Sequence, residues 1–99
     1  MDSTNINFSE FKNKKILITG GSTGIGAELA KAFARQGAIV GLHYLSSADA
    51  ANQVASEILS EGGSVELIRA DASNSHALAV AVKEAAERLG GLNGIINNA

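Results

Sequence analysis

Short runs rich in apolar residues occur at four places along the chain, at residues 16–18, 38–44, 65–68 and 95–96. Consecutive apolar positions over so few residues are typical of strands that are covered on both faces of a parallel sheet. The third run differs because Glu66 interrupts it. A charged residue inside the run indicates a strand with one wetter face, as found at the edge of a sheet.

Segments with helical periodicity separate these runs. In the first segment Ile25, Leu29 and Phe33 recur at fourfold spacing, with polar residues between them. The apolar positions of the second segment are Ala51, Val54, Ala55, Ile58 and Leu59, and those of the third are Leu78, Val82, Ala85, Ala86 and Leu89. Spacing of this kind places apolar side chains on one side of a helix. We therefore predict three amphipathic helices that pack on a sheet.

Capping residues and glycines mark where these helices begin and end. Ser46 and Asp49 have capping-box spacing before the second helix, although Asp is the weaker choice at the fourth position. The residues that offer N-caps to the third helix are Ser73, Asn74 and Ser75. The glycines that follow the three segments are Gly37, Gly62, Gly63, Gly90 and Gly91. Glycine at these places predicts the helix C-termini.

The resulting order of elements is β-α-β-α-β-α-β with short connections. Right-handed crossovers then give a parallel sheet with strand order 3-2-1-4 and helices on both faces. In the full doubly wound sheet, which we expect to continue on the far side of strand 4, strands 1 and 4 are central and strand 3 is an edge, which agrees with their composition. The sequence thus predicts an α/β fold, a doubly wound parallel sheet of Rossmann type. Residues 1–13 form a polar lead-in, and we expect its apolar residues Ile6, Phe8 and Phe11 to pack on the domain.

Composition excludes several classes of protein. A chain of 99 residues with 45% hydrophobic residues is large enough for one domain with a core. The net charge of −2 argues against a nucleic-acid partner, and the absence of cysteine excludes a disulfide scaffold. No run approaches the roughly eighteen apolar residues of a membrane span. We expect a cytoplasmic protein. His43 and His76 have no partner at metal-ligand spacing, so no metal site is predicted.

A glycine-rich loop is the strongest functional signal in the sequence. Residues 18–26 read ITGGSTGIG and lie between the first strand and the first helix. This is the switch point of the predicted sheet, where ligands bind above the strand ends. A helix N-terminus attracts phosphate through its free amides and dipole, and glycine lets the backbone approach closely. Gly20 suits the exit from the strand, and Gly24 and Gly26 suit close contact with phosphate and sheet.

The alternative is a glycine-rich turn that binds no ligand. The position of the loop after a strand and before a helix favours phosphate binding, in which the loop amides close around a diphosphate. The hydroxyls of Ser22 and Thr23 either bind the phosphates or brace the loop. A P-loop is a poor fit because no Gly-Lys-Ser/Thr follows the glycines.

The run from Thr19 to Gly26 resembles the TGxxxGIG cofactor loop of the short-chain dehydrogenases/reductases, in their classical form. Asp71 followed by Ala72 matches the family's acid at the adenine amine. Residues 97–99, Asn-Asn-Ala, match the start of the Asn-Asn-Ala-Gly motif that closes strand 4. The three motifs occur in the family's order and cover essentially residues 12–99.

The resemblance implies a set of cofactor contacts and one structural brace. The implied contacts in the loop and at the strand ends are Gly20, Gly21, Ser22, Thr23, Gly24, Ile25, Gly26, Asp71, Ala72 and Asn98. Asn97 is the implied brace. Without the family, Asp71 is equally well interpreted as a cap on the approach to the third helix.

The end of the second strand bears on the choice between NAD and NADP. Sites that prefer NAD usually place a carboxylate there for the ribose 2′-OH. By family spacing Tyr44 stands in that place, and Asp49 lies later as a capping residue. Nothing therefore repels a 2′-phosphate, which favours NADP with NAD still possible. The Arg or Lys that often accompanies NADP is missing beside Tyr44, and the hydroxyls of Ser46 and Ser47 are the candidate phosphate ligands.

By resemblance the function is reversible hydride transfer between nicotinamide and a small carbonyl or alcohol substrate. The family's catalytic Ser and its Tyr-x-x-x-Lys motif are not in this sequence, so no catalytic residue is assigned. We expect residues 14–99 to be the N-terminal, cofactor-binding half of a longer enzyme, truncated after strand 4, that forms dimers or tetramers. Two alternatives are a non-catalytic or redox-sensing dinucleotide module and a structural protein whose glycines only make a turn.

Overall fold

A computed structural model describes residues 8–98 of the protein. Its elements are a 3₁₀ turn at Phe8–Phe11, strands β1 (Lys15–Thr19), β2 (Ile39–Tyr44), β3 (Ser64–Arg69) and β4 (Gly94–Asn97), and helices α1 (Gly24–Arg35), α2 (Ala48–Ser60) and α3 (Ser75–Leu89). All strand pairs are parallel, and the sheet order is β3-β2-β1-β4. The predicted Rossmann-type fold and its strand order are confirmed.

Alternating residues of β1 explain why the sheet has helices on both faces. Ile16 and Ile18 belong to the cluster that α1 and α2 cover. Leu17 points to the other face, where it packs with Ile68 and with Ala85 of α3. Because successive side chains of a strand point to opposite faces, a run that is apolar throughout needs cover on both sides. The continuous apolar run thus determines the layered architecture.

Small residues bring α1 against the sheet. The buried residues of this helix are Gly26, Ala27, Ala30 and Ala34. Ile25, which we expected on the packed face, is 73% exposed. The prediction was wrong at this position because helical periodicity alone does not show which side of the helix faces the sheet. A stripe of small side chains allows a closer approach than large ones, so it takes that side.

The prediction for α2 needs two corrections. Ala51, Val54, Ala55 and Ile58 are buried as expected, but Leu59 is 59% exposed. The N-cap is Ser47, whose side chain makes no capping hydrogen bond in the described structure. The predicted capping box of Ser46 and Asp49 is therefore wrong, since the helix begins one residue later than that spacing requires.

The predicted start of α3 and the predicted edge strand agree with the structure. Asn74 is the N-cap of α3, and its side-chain oxygen accepts a hydrogen bond from the amide of Ala77 at 2.9 Å. β3 lies at the sheet edge, and its Glu66 forms an ion pair with Arg88 of α3. The charged residue in the third apolar run was thus a sound indicator of an edge.

The lead-in contributes one described aromatic contact. The rings of Phe11 and Phe33 meet edge to face, with centroids 5.2 Å apart. The other two apolar residues of the lead-in, Ile6 and the side chain of Phe8, lie outside the described part of the chain. None of the helices within residues 8–98 has the length and apolar character required to cross a membrane.

Candidate functional site

The glycine-rich loop lies at the C-terminal ends of β1 and β4, which are neighbours in the sheet. It leaves β1 after Thr19, and α1 begins at Gly24. An open cleft of about 450 Å³ lies beside it, lined by the loop, the end of β2 and the segment after β3. The loop is therefore at the switch point where the sequence placed it, next to a concave surface.

Two features of the loop require glycine. Gly20 has φ +60° and Gly24 has φ +56°, in the left-handed region that favours glycine. At Gly26 the constraint is contact: an added Cβ would lie 2.3 Å from the carbonyl oxygen of Gly20 and 2.6 Å from Asn98 Nδ2. At Gly24, by contrast, an added Cβ would meet no described atom within 4 Å. Gly26 thus serves packing, and Gly24 keeps the outer side of the loop open.

The first two amides of the loop are bonded within the protein. The amide of Gly20 donates to His43 Nδ1 at 3.0 Å, and the amide of Gly21 donates to the carbonyl of His43 at 2.9 Å. This corrects our expectation that the loop amides as a set close around a diphosphate. Gly20 and Gly21 act in the loop as its anchor to β2.

The amides that follow have a different environment. Thr23 is the N-cap of α1, and its side chain makes no capping hydrogen bond within the described structure. The first intrahelical bond runs from the amide of Ala27 to the carbonyl of Thr23. The first-turn amides of a helix have no intrahelical carbonyl to bind, and they carry the positive end of the dipole. Residues 24–26 are therefore the part of the loop whose amides have no intrahelical carbonyl to bind.

Thr19, Asn97 and Asn98 connect β1 to β4 directly below the loop. Thr19 is fully buried. Its hydroxyl donates to Asn97 Oδ1 at 2.8 Å and accepts from the Asn98 amide at 2.9 Å. Asn98 Nδ2 donates to the carbonyl of Gly20 at 3.1 Å. Both asparagines thus hold the loop in place in this structure, while Ala99, the last residue of the motif, lies outside the described residues.

The far wall of the cleft contains the residues predicted for the adenosine side. Tyr44, Ser46, Asp71 and Ala72 all line it. Asp71 Oδ1 accepts a hydrogen bond from the Ser73 amide at 2.8 Å. Bonds from the Ser73 side chain and amide hold the pKa of Asp71 below its usual value. The carboxylate thus caps the turn before α3, as the family-independent interpretation expected, and also borders the cleft.

Two residues that were not assigned a role from the sequence lie in this wall or contact it: His43 lines the cleft, and Arg69 binds the wall residue Leu45. His43 is buried and bonded to the loop. Arg69, opposite Tyr44 in the strand register, donates from Nε to the carbonyl of Leu45 at 3.1 Å. Arg69 thereby brings a positive charge to the segment where a basic residue was missing by spacing alone. The signal that could have found it is pairing between β2 and β3, which brings residues 44 and 69 side by side.

A second, larger groove of about 1000 Å³ runs between α1 and α2. Ion pairs of Lys31 with Glu57 at 3.5 Å and of Arg35 with Glu61 at 3.0 Å cross it, and Lys31 also pairs with Glu28 of the same helix at 2.9 Å. Such exposed pairs contribute little to stability. The described residues contain no group of three or more side chains that could hold a metal ion.

Comparison with known proteins adds independent evidence. A family profile described as short chain dehydrogenase matches residues 14–99. An uncharacterised oxidoreductase of Methylorubrum extorquens is 37% identical over 90 residues, which is 91% of this chain and 36% of that protein. A probable galactose dehydrogenase of Rhizobium meliloti is 35% identical over 92 residues, 93% of this chain and 36% of that protein.

Solved structures agree with the sequence relatives. A dehydrogenase/reductase from Sinorhizobium meliloti matches with a TM-score of 0.82 at 44% identity. The match covers 89% of this chain and 35% of that protein's chain. A short chain dehydrogenase from Burkholderia cenocepacia, in complex with NADP, matches with a TM-score of 0.82 at 42% identity. The match covers 90% of this chain and 36% of that protein's chain. The chain thus spans about a third of the length of the relatives that it matches.

Proposed function

The chain belongs to the short-chain dehydrogenase/reductase family, and on that premise we propose that it is the cofactor-binding half of an NAD(P)-dependent oxidoreductase. The whole protein would transfer hydride between the nicotinamide and a small carbonyl or alcohol substrate. Residues 14–99 supply the dinucleotide site in this proposal. The relatives described above are named as oxidoreductases and dehydrogenases, and no observation favours a non-catalytic sensor.

The observation that carries the proposal is the open start of α1. Gly24 combines a left-handed backbone with empty space where a side chain would stand. The amides of the first turn face no intrahelical partner there. A diphosphate needs this combination, because its oxygens must reach backbone amides without meeting a Cβ. The residues present therefore fit a dinucleotide.

When bound, the nicotinamide supplies the hydride chemistry. The chain's own residues hold and orient the dinucleotide: the amides of residues 24–26 bind the diphosphate, and Ser22 and Thr23 offer hydroxyls beside it. Tyr44, Asp71 and Ala72 border the adenosine. Asn98, at the end of β4, extends the site along the sheet edge, and its bond to Gly20 keeps the loop against the sheet.

NADP is the proposed preference. Tyr44 occupies the strand end where a carboxylate would repel a 2′-phosphate, and it lies beside Arg69 in the strand register. The guanidinium of Arg69 contacts Leu45, adjacent to Ser46 and Ser47. Guanidinium groups bind phosphate strongly because they offer several donors with a positive charge. The Burkholderia cenocepacia relative in complex with NADP is consistent with this preference.

A titration of the whole protein with NADPH and with NADH tests the proposal. Calorimetry should give saturable binding of both, with a dissociation constant at least about tenfold lower for NADPH, equivalent to about 1.4 kcal/mol. Tighter binding of NADH would reverse the proposed preference. If neither dinucleotide binds at millimolar concentration, the proposed function itself is wrong.

The cellular setting follows from the family resemblance and is proposed with it. We propose that the whole protein is cytoplasmic and assembles into a homodimer or homotetramer. Light scattering on the purified protein measures the assembly, and cell fractionation measures the location. A monomer, or a protein found in the membrane fraction, would contradict these two proposals without affecting the dinucleotide site.

A further inference from the structure

His43, a residue of β2, contacts the glycine loop through both its side chain and its main chain. Only 4% of the residue is exposed, and it lies next to the end of β2. Its ring bridges two segments that are distant in sequence: Nδ1 accepts from the amide of Gly20 at 3.0 Å, and Nε2 lies 2.7 Å from the carbonyl oxygen of Ala70. The buried imidazole therefore connects the start of the loop to the segment after β3.

The two partners determine which nitrogen carries the proton. A backbone amide only donates, so Nδ1 must present a lone pair to Gly20. A carbonyl only accepts, so Nε2 must carry the hydrogen toward Ala70. One neutral tautomer, with the hydrogen on Nε2, satisfies both bonds. In that tautomer the ring makes a directional contact with each side, and neither nitrogen is left unsatisfied.

The main chain of His43 adds a second contact to the loop. Its carbonyl accepts the amide of Gly21 at 2.9 Å. One residue thus fixes two consecutive amides where the chain leaves β1. From the opposite side, Asn98 Nδ2 holds the carbonyl of Gly20 at 3.1 Å. The orientation of the Gly20 peptide groups is set by these contacts, and it determines where the next residues and the start of α1 lie.

We infer that His43 is a positioning residue for the dinucleotide: its Nδ1, by holding the Gly20 amide, orients the loop so that the amides at the start of α1 meet the diphosphate. This inference rests on the proposed function. The imidazole orients the loop by binding the Gly20 amide, and it takes no part in proton transfer. Loss of the Nδ1 contact should weaken dinucleotide binding, whereas loss of the Nε2 contact should leave it nearly unchanged.

Two substitutions separate the two ring nitrogens. In His43→Asn the side-chain oxygen takes the place of Nδ1 and keeps an acceptor for Gly20. In His43→Gln the side-chain nitrogen takes the place of Nε2 and keeps a donor for Ala70. We expect His43→Gln to raise the dissociation constant of NADPH about tenfold, the value of one hydrogen bond, and His43→Asn to raise it less than about threefold. His76→Gln, a change at an exposed histidine of α3, is the control and should have no effect.

The measurements are calorimetry with NADPH on the whole protein and hydrogen exchange of the Gly20 amide. Faster exchange at Gly20 in His43→Gln, but not in His43→Asn, supports the inference. Equal losses of affinity in both variants, or unchanged exchange at Gly20, would overturn it. If the unmodified protein binds no dinucleotide, the proposed function fails, and the inference fails with it. If the unmodified protein binds NADPH and the two His43 variants lose affinity equally, the inference about His43 is rejected while the proposed function stands.

A measurement on the unmodified protein covers the case in which His43→Gln does not fold. Nitrogen-15 NMR of the NADPH complex should show the hydrogen on Nε2 and a scalar coupling between Nδ1 and the Gly20 amide nitrogen. That coupling arises only across a hydrogen bond. The other tautomer, or a coupling that is absent in the complex, contradicts the inference.

Discussion

Gly24 and Gly26 of the loop are required for different structural reasons. Gly26 is required because a Cβ there would collide with the backbone of Gly20. Gly24 is required for its left-handed φ and for the space outside it. Sequence alone gave both residues the same interpretation, since their side chains are identical and only the neighbours distinguish them. The functional consequence is that Gly24 can be changed with little effect on packing.

Substitution of Gly24 should therefore remove dinucleotide binding without unfolding the protein. In Gly24→Val a branched side chain at φ +56° costs about 1–2 kcal/mol of stability and fills the open side of the loop. We expect the affinity for NADPH to fall by at least about a hundredfold, as measured by calorimetry. Gly62→Val is the matched control, because Gly62 has φ +84° and also has no atom within 4 Å of an added Cβ in the described structure.

The comparison of the two variants decides the role of the loop. Both should lower the midpoint of thermal unfolding by a similar amount, since both place a side chain in the left-handed region. Only Gly24→Val should lose NADPH binding. Similar affinities in the two variants would show that the outer side of the loop does not contact the dinucleotide.

Asp71 gives the stability of the protein a pH dependence with a defined sign. Hydrogen bonds from Ser73 hold its pKa in the folded state below the reference value of 3.8. The stabilisation is fully present above that value and is lost as the pH falls through the folded-state pKa. Asp71→Asn, which keeps the acceptor but not the charge, should destabilise the protein near neutral pH and remove this component of acid sensitivity.

Thermal unfolding at about pH 6 and about pH 3 measures the effect. The difference in melting temperature between the unmodified protein and Asp71→Asn should be larger at the higher pH. Asp49→Asn, in the first turn of α2, controls for the loss of one carboxylate. A difference that does not change with pH would contradict the proposed cause.

At the scale of elements, the pairing of β2 with β3 brings together the strand ends beside the wall of the cleft proposed to bind adenosine. Tyr44 and Arg69 are opposite each other in this pairing. Arg69 also binds the carbonyl of Leu45, a residue 24 positions away in the sequence. Sequence spacing places Tyr44 where a carboxylate would stand. The guanidinium of Arg69 belongs to the adjacent strand, so its proximity to Tyr44 is evident only from the pairing of the two strands.

Arg69 should contribute to the preference between the two dinucleotides. In Arg69→Gln the positive charge near Ser46 and Ser47 is removed, and we expect the ratio of the NADH to the NADPH dissociation constant to fall by about threefold to tenfold. Calorimetric titration with both cofactors measures this ratio. Arg88→Gln removes an exposed arginine from α3 and should leave the ratio unchanged. A fall of equal size in both variants would assign the effect to net charge.

At the scale of the whole molecule, the sequence was sufficient to predict the order and arrangement of the elements. The apolar run of β1 required cover on two faces, and short connections left one handedness for each crossover. Ile25 and Leu59 were misplaced because periodicity identifies an apolar stripe, not the partner that the stripe meets. The part played by His43 was missed for a further reason: its side-chain partners Gly20 and Ala70 lie 23 and 27 positions away.

The attachment of the loop to β2 has a practical consequence for protein engineering. A designer who wishes to switch the coenzyme would introduce an acid at Tyr44, directly after the histidine that anchors Gly20 and Gly21. A backbone adjustment made there should shift the turn that is proposed to bind the diphosphate, because His43 holds the amides of Gly20 and Gly21. Selectivity and overall affinity are consequently linked at this strand end, so coenzyme reversal should require a compensating substitution in residues 20–24.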